Sequence, residues 1–212
     1  MKQHRFFDRE HATWVLRLLP GEFATSKKAS GNPSPSPPAQ GLMTVLGSCV
    51  AVCLMDKTAG LMGMNHFMLP EQLDQAFLEH YGADPASRSA RYGCYAMELL
   101  INALLTQGAK REHLGAWIFG GGQILSGMTD IGHSNVLFAT QYLLREKIKI
   151  KGQDTGGNLA RKLYFSPTLS APECRLIQES LKRVQHREIR HAATLASVNA
   201  THKTDISLFK GA

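Results

Sequence analysis

Apolar and polar positions divide this chain into an opening segment, a polar interruption, a long patterned core and an end without clear pattern. Residues 1–28 carry Phe6, Phe7, Trp14, Val15, Leu16, Leu18 and Leu19, enough apolar surface to pack on a core. Gly21–Thr25 reads as a short strand. Residues 29–40 are Pro- and Ser-rich, which excludes a helix or central strand and predicts an extended, mobile loop. That loop reads as the overgrown tip of a hairpin. A domain linker is the alternative, although too little chain precedes it to form a domain.

The core is expected over 41–168. Strands are predicted at about 43–54 and 61–68, followed by a loop holding Tyr81–Pro85. A helix from about Arg91 to Gln107 sets Ala96, Leu99, Leu100, Ala103 and Leu104 on one face and stops at Gly108. Ala116–Phe119 reads as a buried strand running into Gly120–Gly122. A second helix from about Ser134 to Glu146 carries Leu137, Thr140, Leu143 and Leu144. Ile148–Ile150 and Arg161–Phe165 complete the strands. Strands mixed with helices and joined early by hairpin-length connections predict an α+β, layered arrangement. Residues 169–212 form a divergent tail: Leu176, Ile177, Leu181 and Val184 suit a short helix, Cys174–Gln178 suits a strand, and beyond about 190 the chain should fray.

Composition narrows the class. The chain has 212 residues, 43% of them hydrophobic and 19% charged, which suits one substantial core. Four cysteines without a secretory apolar region point to free thiols in a reducing, cytoplasmic setting. No stretch approaches the roughly 18 apolar residues of a membrane span, so membrane insertion is not expected. The net charge of +7 comes from scattered Lys and Arg rather than a basic stripe interleaved with aromatics, which argues against nucleic acid and leaves room for an acidic protein partner.

Candidate chemistry centres on Cys49 and His66. Gly47-Ser48-Cys49 breaks an apolar run, and Asp56–Gly60 has turn composition. A turn centred near Lys57–Thr58 sets Cys49 opposite His66 on adjacent strands, with Cβ atoms about 4.5–5.5 Å apart. An imidazole beside a thiol lowers its pKa from about 8.5 and makes a nucleophile for acyl chemistry. Gly47 and Ser48 let the backbone turn and aim N–H groups at an oxyanion. Thr44 has a hydroxyl suited to orienting the imidazole.

Packing is the competing reading, since free cysteines in apolar strands are usually core residues. Cys53 reads that way, as do Cys94 and Cys174. On the residues alone, both readings of Cys49 stay open. A zinc site is not expected: Cys49, Cys53 and His66 lack a fourth ligand at positions 70–72, which are Pro70, Glu71 and Gln72. Gly120–Gly122 is neither a dinucleotide fingerprint nor a P-loop, and marks a turn where backbone approaches a pocket or strand closely. Asp154–Gly157 reads likewise as a turn or pocket wall. His113, His133, His186 and His191 show no ligand pattern and read as surface residues.

Several motifs in order resemble the CheD family of chemoreceptor glutamine deamidases. They are Val45–Leu54 around Cys49, Gly63–Pro70 around His66, Arg91–Ile101, Phe119–Gly122 with Gly127–Gly132, and Asp154–Asn158, spanning roughly residues 5–168. The resemblance implies a compact layered α/β sandwich similar to the catalytic domain of the cytotoxic necrotizing factor toxins. It implies Cys49 as nucleophile, His66 as base and acid, and Thr44 as the orienting residue. The candidate substrate contacts are Gly47, Ser48, Asn65, Gly121 and Gly122, with no cofactor or metal.

The implied reaction hydrolyses glutamine side chains to glutamate in the cytoplasmic coiled coil of chemoreceptors. Some relatives also hydrolyse glutamyl methyl esters, and some bind the CheC phosphatase. A catalytically silent adaptor binding receptors or a phosphatase is the alternative. Two departures stand out: the insertion at 29–40, and the sequence after Pro167, where the family usually continues with a Val- and Lys-rich strand.

Overall fold

The computed structural model describes residues 4–28, 40–69, 88–124, 131–178 and 181–202. The expected loop around Tyr81–Pro85, residues 29–39 of the Pro/Ser segment, residues 127–130 and the last ten residues lie outside them.

Two five-stranded sheets carry the fold. The first contains β1 (His4–Asp8), β2 (Thr13–Arg17), β4 (Gly41–Leu46), β9 (Ala160–Phe165) and β10 (Glu173–Ile177), in the order β1-β2-β4-β9-β10. The second contains β3 (Phe23–Lys27), β5 (Val50–Asp56), β6 (Leu61–Asn65), β7 (Leu114–Gly120) and β8 (Lys149–Thr155), in the order β3-β6-β5-β7-β8. The helices are α1 (Arg88–Thr106), α2 (Ile131–Arg145) and α3 (Leu181–His202), with a short 3-10 turn at Arg111–His113. The α+β expectation matches this arrangement.

The core lies between the sheets. Leu42, Leu46, Leu163 and Phe165 of the first sheet share one buried cluster with Val52, Leu54, Met62 and Ile118 of the second. Trp117 meets Phe165 edge-on across the layers, ring centroids 6.1 Å apart. Helices α1 and α2 cover the other face of the second sheet, α1 against β3 and β6, α2 against β5, β7 and β8. A sheet covered on both faces needs apolar residues at every position. Accordingly β5, β6 and β7 are buried along their whole lengths.

The expected strand at 43–54 is two strands. β4 ends at Leu46 in the first sheet, and β5 begins at Val50 in the second. The chain changes layer at Gly47-Ser48-Cys49, where the apolar pattern was broken. The hairpin expected around 29–40 is likewise not formed: β3 pairs with β6 while β4 pairs with β2 and β9, in different sheets.

The β5–β6 hairpin is present but shifted. Its pairs run from Asp56↔Leu61 to Cys53↔Met64, and a further bridge joins Val50 to Phe67. The turn therefore centres between Thr58 and Ala59, one residue beyond the expected point, because Gly60 in a left-handed conformation (φ 64°) takes part in it. Extended by one residue, this register sets Cys49 opposite Met68, not His66.

Helix faces also differ from expectation. In α2 the buried residues include Ser134, Asn135, Phe138, Ala139, Tyr142 and Leu143, while Leu144 is exposed. The aromatic rings of Phe138 and Tyr142 decide the orientation, Phe138 packing edge-on to Phe67. At the end of the chain, β10 is a strand paired with β9, and α3 continues to His202 rather than fraying near 190. No helix among the described residues is long and apolar enough to cross a membrane.

Asp56 ends β5 beneath the hairpin turn, almost fully buried, accepting the Ala59 and Lys110 N–H groups at 3.0 Å each. Although burial opposes its ionisation, these N–H donors and nearby His113 hold its carboxyl below the ordinary value. Asp56→Ala leaves two backbone donors unpaired. It should destabilise the protein by about 1–3 kcal/mol, read as a lower urea midpoint with an unchanged slope.

Candidate active site

The layer change at Gly47–Cys49 fixes three successive peptide groups. Their carbonyls are held on one side: Gly122 N–H donates to Gly47 O at 2.7 Å, Asn135 Nδ2 to Ser48 O at 2.8 Å, and Gly121 N–H to Cys49 O at 2.9 Å. Asn135 also accepts the Leu69 N–H through Oδ1 at 2.8 Å, tying the segment after His66 to the same anchor. Gly120 makes the close approach possible. Its φ is 107°, and a Cβ there would lie 2.1 Å from Cys49 O.

The three N–H groups converge on one carboxylate, Glu188 of α3. Gly47 N–H donates to Oε1 at 2.9 Å, Ser48 N–H to Oε2 at 2.9 Å and Cys49 N–H to Oε1 at 3.2 Å. Ser48 Oγ donates to Oε2 at 2.6 Å. Glu188 is fully buried, and this fourfold donation replaces the water its carboxylate lost. A Cβ on Gly47 would sit 1.9 Å from Ile124 Cδ1 and 2.8 Å from Glu188 Oε2, so a side chain here would have to displace both.

His66 follows β6, held by backbone on both sides: Gly21 N–H donates to its carbonyl at 2.7 Å, and its own N–H donates to Glu22 O at 2.9 Å. Thr44 Oγ1 donates to Leu18 O at 2.9 Å and lies 2.7 Å from His66 Nδ1. With its one proton committed to Leu18, the hydroxyl accepts from Nδ1–H. Nε2 is then left as a lone pair, buried and without a hydrogen-bond partner among the described residues. The Val50–Phe67 bridge sets Ala51 opposite His66, and Cys49 lies two residues before Ala51, at the layer change.

The thiol differs from expectation. Complete burial pushes Cys49 well above the ordinary value, and the charge and hydrogen bonding of Glu188 add to this, with Arg187 opposing. Burial lowers His66 well below its ordinary value, and repulsion from Arg187 and His191 deepens the shift. Both shifts favour the neutral form of each group.

The other sequence candidates divide. Gly121 and Gly122 brace the three-peptide turn through their N–H groups. Asn65 is committed elsewhere: its Oδ1 accepts Val52 N–H at 2.9 Å and its Nδ2 donates to Ala96 O at 3.2 Å. Cys53 is buried in the sheet, opposite Met64 and Trp117. Among the described residues no group of three or more His, Cys, Asp or Glu side chains is placed to hold a metal ion.

Residues 68–176 match the CheD family, described as CheD chemotactic sensory transduction. A probable chemoreceptor glutamine deamidase CheD from Methylobacillus flagellatus is 41% identical over 186 residues, covering 87% of this chain and 82% of its own. Proteins of the same name from Halorhodospira halophila (40% over 164 residues) and Cupriavidus metallidurans (43% over 166) each cover 77% of this chain, and 70% and 68% of their own. The chain belongs to the CheD family.

The CheD family match ends at residue 176, and α3 begins at Leu181. The helix that fills the turn therefore lies beyond the matched domain. Sequence reasoning missed Glu188 and Asn135, and read His191 as a surface residue. His191 is instead half-buried, its Nε2 without a partner among the described residues and its Cε1 3.5 Å from where a Gly21 Cβ would lie. Nothing local marked Asn135, since the apolar pattern set Leu137, Thr140 and Leu144 toward the core and Asn135 away from them. Asn135→Ala orphans Ser48 O and Leu69 N–H together. We expect it to lower stability by roughly 2–4 kcal/mol, measured by urea unfolding, whereas exposed Gln123→Ala should change it little.

Proposed function

We propose that this protein hydrolyses glutamine side chains of chemoreceptors to glutamate, with Cys49 as nucleophile and His66 as base and acid. The observation that carries the reading is the three-peptide turn at Gly47–Cys49, which binds a carboxylate through converging N–H groups beside a Thr44-held imidazole. The names of the relatives support the same substrate class.

When the substrate side chain enters, the Glu188 charge leaves and the thiol loses the strongest charge opposing its ionisation. His66 Nε2 takes the thiol proton while Thr44 holds Nδ1–H, so the imidazolium stays oriented. The thiolate attacks the amide carbon, and the turn's N–H groups receive the oxyanion. The C–N bond breaks, the imidazolium protonates the nitrogen, and ammonia departs. Water, deprotonated by His66, then splits the thioester, releasing glutamate and the thiol. A glutamyl methyl ester follows the same route with methanol as leaving group.

A silent adaptor has one observation in its favour: Cys49 is fully buried with a raised thiol pKa. Incubation with a chemoreceptor cytoplasmic fragment, followed by peptide mass spectrometry, separates the two. The deamidase reading expects amide-to-acid mass shifts at defined glutamines, absent with Cys49→Ala. His66→Ala should lose about 10²–10⁴-fold in rate, and Thr44→Val less. Conversion that survives in Cys49→Ala would sink the mechanism.

A further inference from the structure

The occupied turn is the feature that the proposed reaction does not use. A carboxylate held by the N–H groups of Gly47, Ser48 and Cys49 is chemically the product of glutamine hydrolysis. Here it comes from the chain itself, carried on an α-helix. That helix is fastened through the turn that precedes Glu188. Gln185 donates to Ile124 O, Arg187 donates to Val45 O, and Val184 is buried against Ile124 and Ala160. Arg187 and His191, one residue before and three after Glu188, act electrostatically on His66. Cys49, His66 and Thr44 are all fully buried.

We propose that α3 occupies the substrate groove as an intramolecular product mimic, and that a substrate helix presenting a glutamine must displace it before Cys49 can react. The proposal rests on the deamidase reading for the identity of the groove, and adds that this chain carries its own competitor. It assigns the groove a shape. The surface around the Gly47–Cys49 turn, Val45 and Ile124 accepts an α-helix that delivers one long polar side chain into the three N–H groups. Because the occupant is tethered, its effective concentration is high, and even modest contacts keep the site filled. A carboxylate suits the N–H cluster without being attacked, whereas a carboxamide in the same position is a substrate. Glutamate at position 188 is therefore an inert ligand, and glutamine there would not be.

Full-length variants test this. Glu188→Ala should speed alkylation of Cys49 by iodoacetamide and deamidation of a chemoreceptor fragment by about tenfold or more, a factor set by the ratio of docked to undocked helix. Val184→Asp, which undocks α3 without touching the turn, should act in the same direction. Circular dichroism reports whether each variant remains folded. Glu188→Gln should convert itself to Glu188: the thiolate attacks the side-chain amide, ammonia leaves and water releases the acid. Peptide mass spectrometry should find glutamate at position 188 in that variant, and unconverted glutamine when Cys49→Ala is added.

Unchanged or slower alkylation in both folded variants would overturn the proposal and make Glu188 a structural clamp. Glutamine persisting at position 188 with Cys49 still protected would reduce Glu188 to a plug and overturn the product assignment. Faster alkylation in Glu188→Ala, with no receptor conversion by it or by the wild type, would instead remove the deamidase reading and leave α3 as the cover of the site.

Discussion

Three peptide groups that belong to neither sheet govern this structure. Between Leu46 and Val50 the backbone leaves one layer and enters the other, so Gly47, Ser48 and Cys49 cannot satisfy their polar groups by strand pairing. Their carbonyls are taken by Gly122, Asn135 and Gly121, from the loop after β7 and from α2. With the carbonyls fixed on one side, the N–H groups are presented together on the other. Buried donors demand an acceptor. A carboxylate meets that demand here, and a developing oxyanion would meet it equally well.

The same junction carries the second candidate residue, His66. The β5–β6 hairpin is extended past its regular pairs by the Val50–Phe67 bridge, which carries the sheet up to the layer change. His66 sits on that extension and is oriented from the first sheet, through Thr44 on β4 and the Leu18 carbonyl. The candidate nucleophile and base thus occupy one sheet junction while their support comes from both layers. Packing between the layers, by residues such as Leu46, Phe165 and Trp117, sets the distance between those supports.

Burial gives the site its resting electrostatics. A thiol and an imidazole removed from water both favour their neutral forms, and a carboxylate beside the thiol adds to that preference. In the proposed mechanism, activation belongs to exchange of the occupant. A ligand that is neutral when it enters and gains negative charge only during reaction is favoured by the N–H cluster at the moment of need.

Much of this was legible in the chain. Apolar periodicity located β6, β7, β9 and the two central helices to within a few residues, and the Gly47-Ser48-Cys49 break stood out because it interrupts an otherwise apolar run. The cysteine, the histidine and the glycines after β7 were all found by local pattern, because strand alternation and turn composition are properties of neighbouring residues. What tertiary structure alone decided is non-local. Nothing in the spacing of residues said that the break changes sheets, since the two strands beside it are equally apolar. Asn135 meets Ser48 across 87 positions, and Glu188 meets Gly47 across 141. Such partners are chosen by which groups the folded backbone leaves unpaired, and that is fixed only when both sheets and the terminal helix are in place.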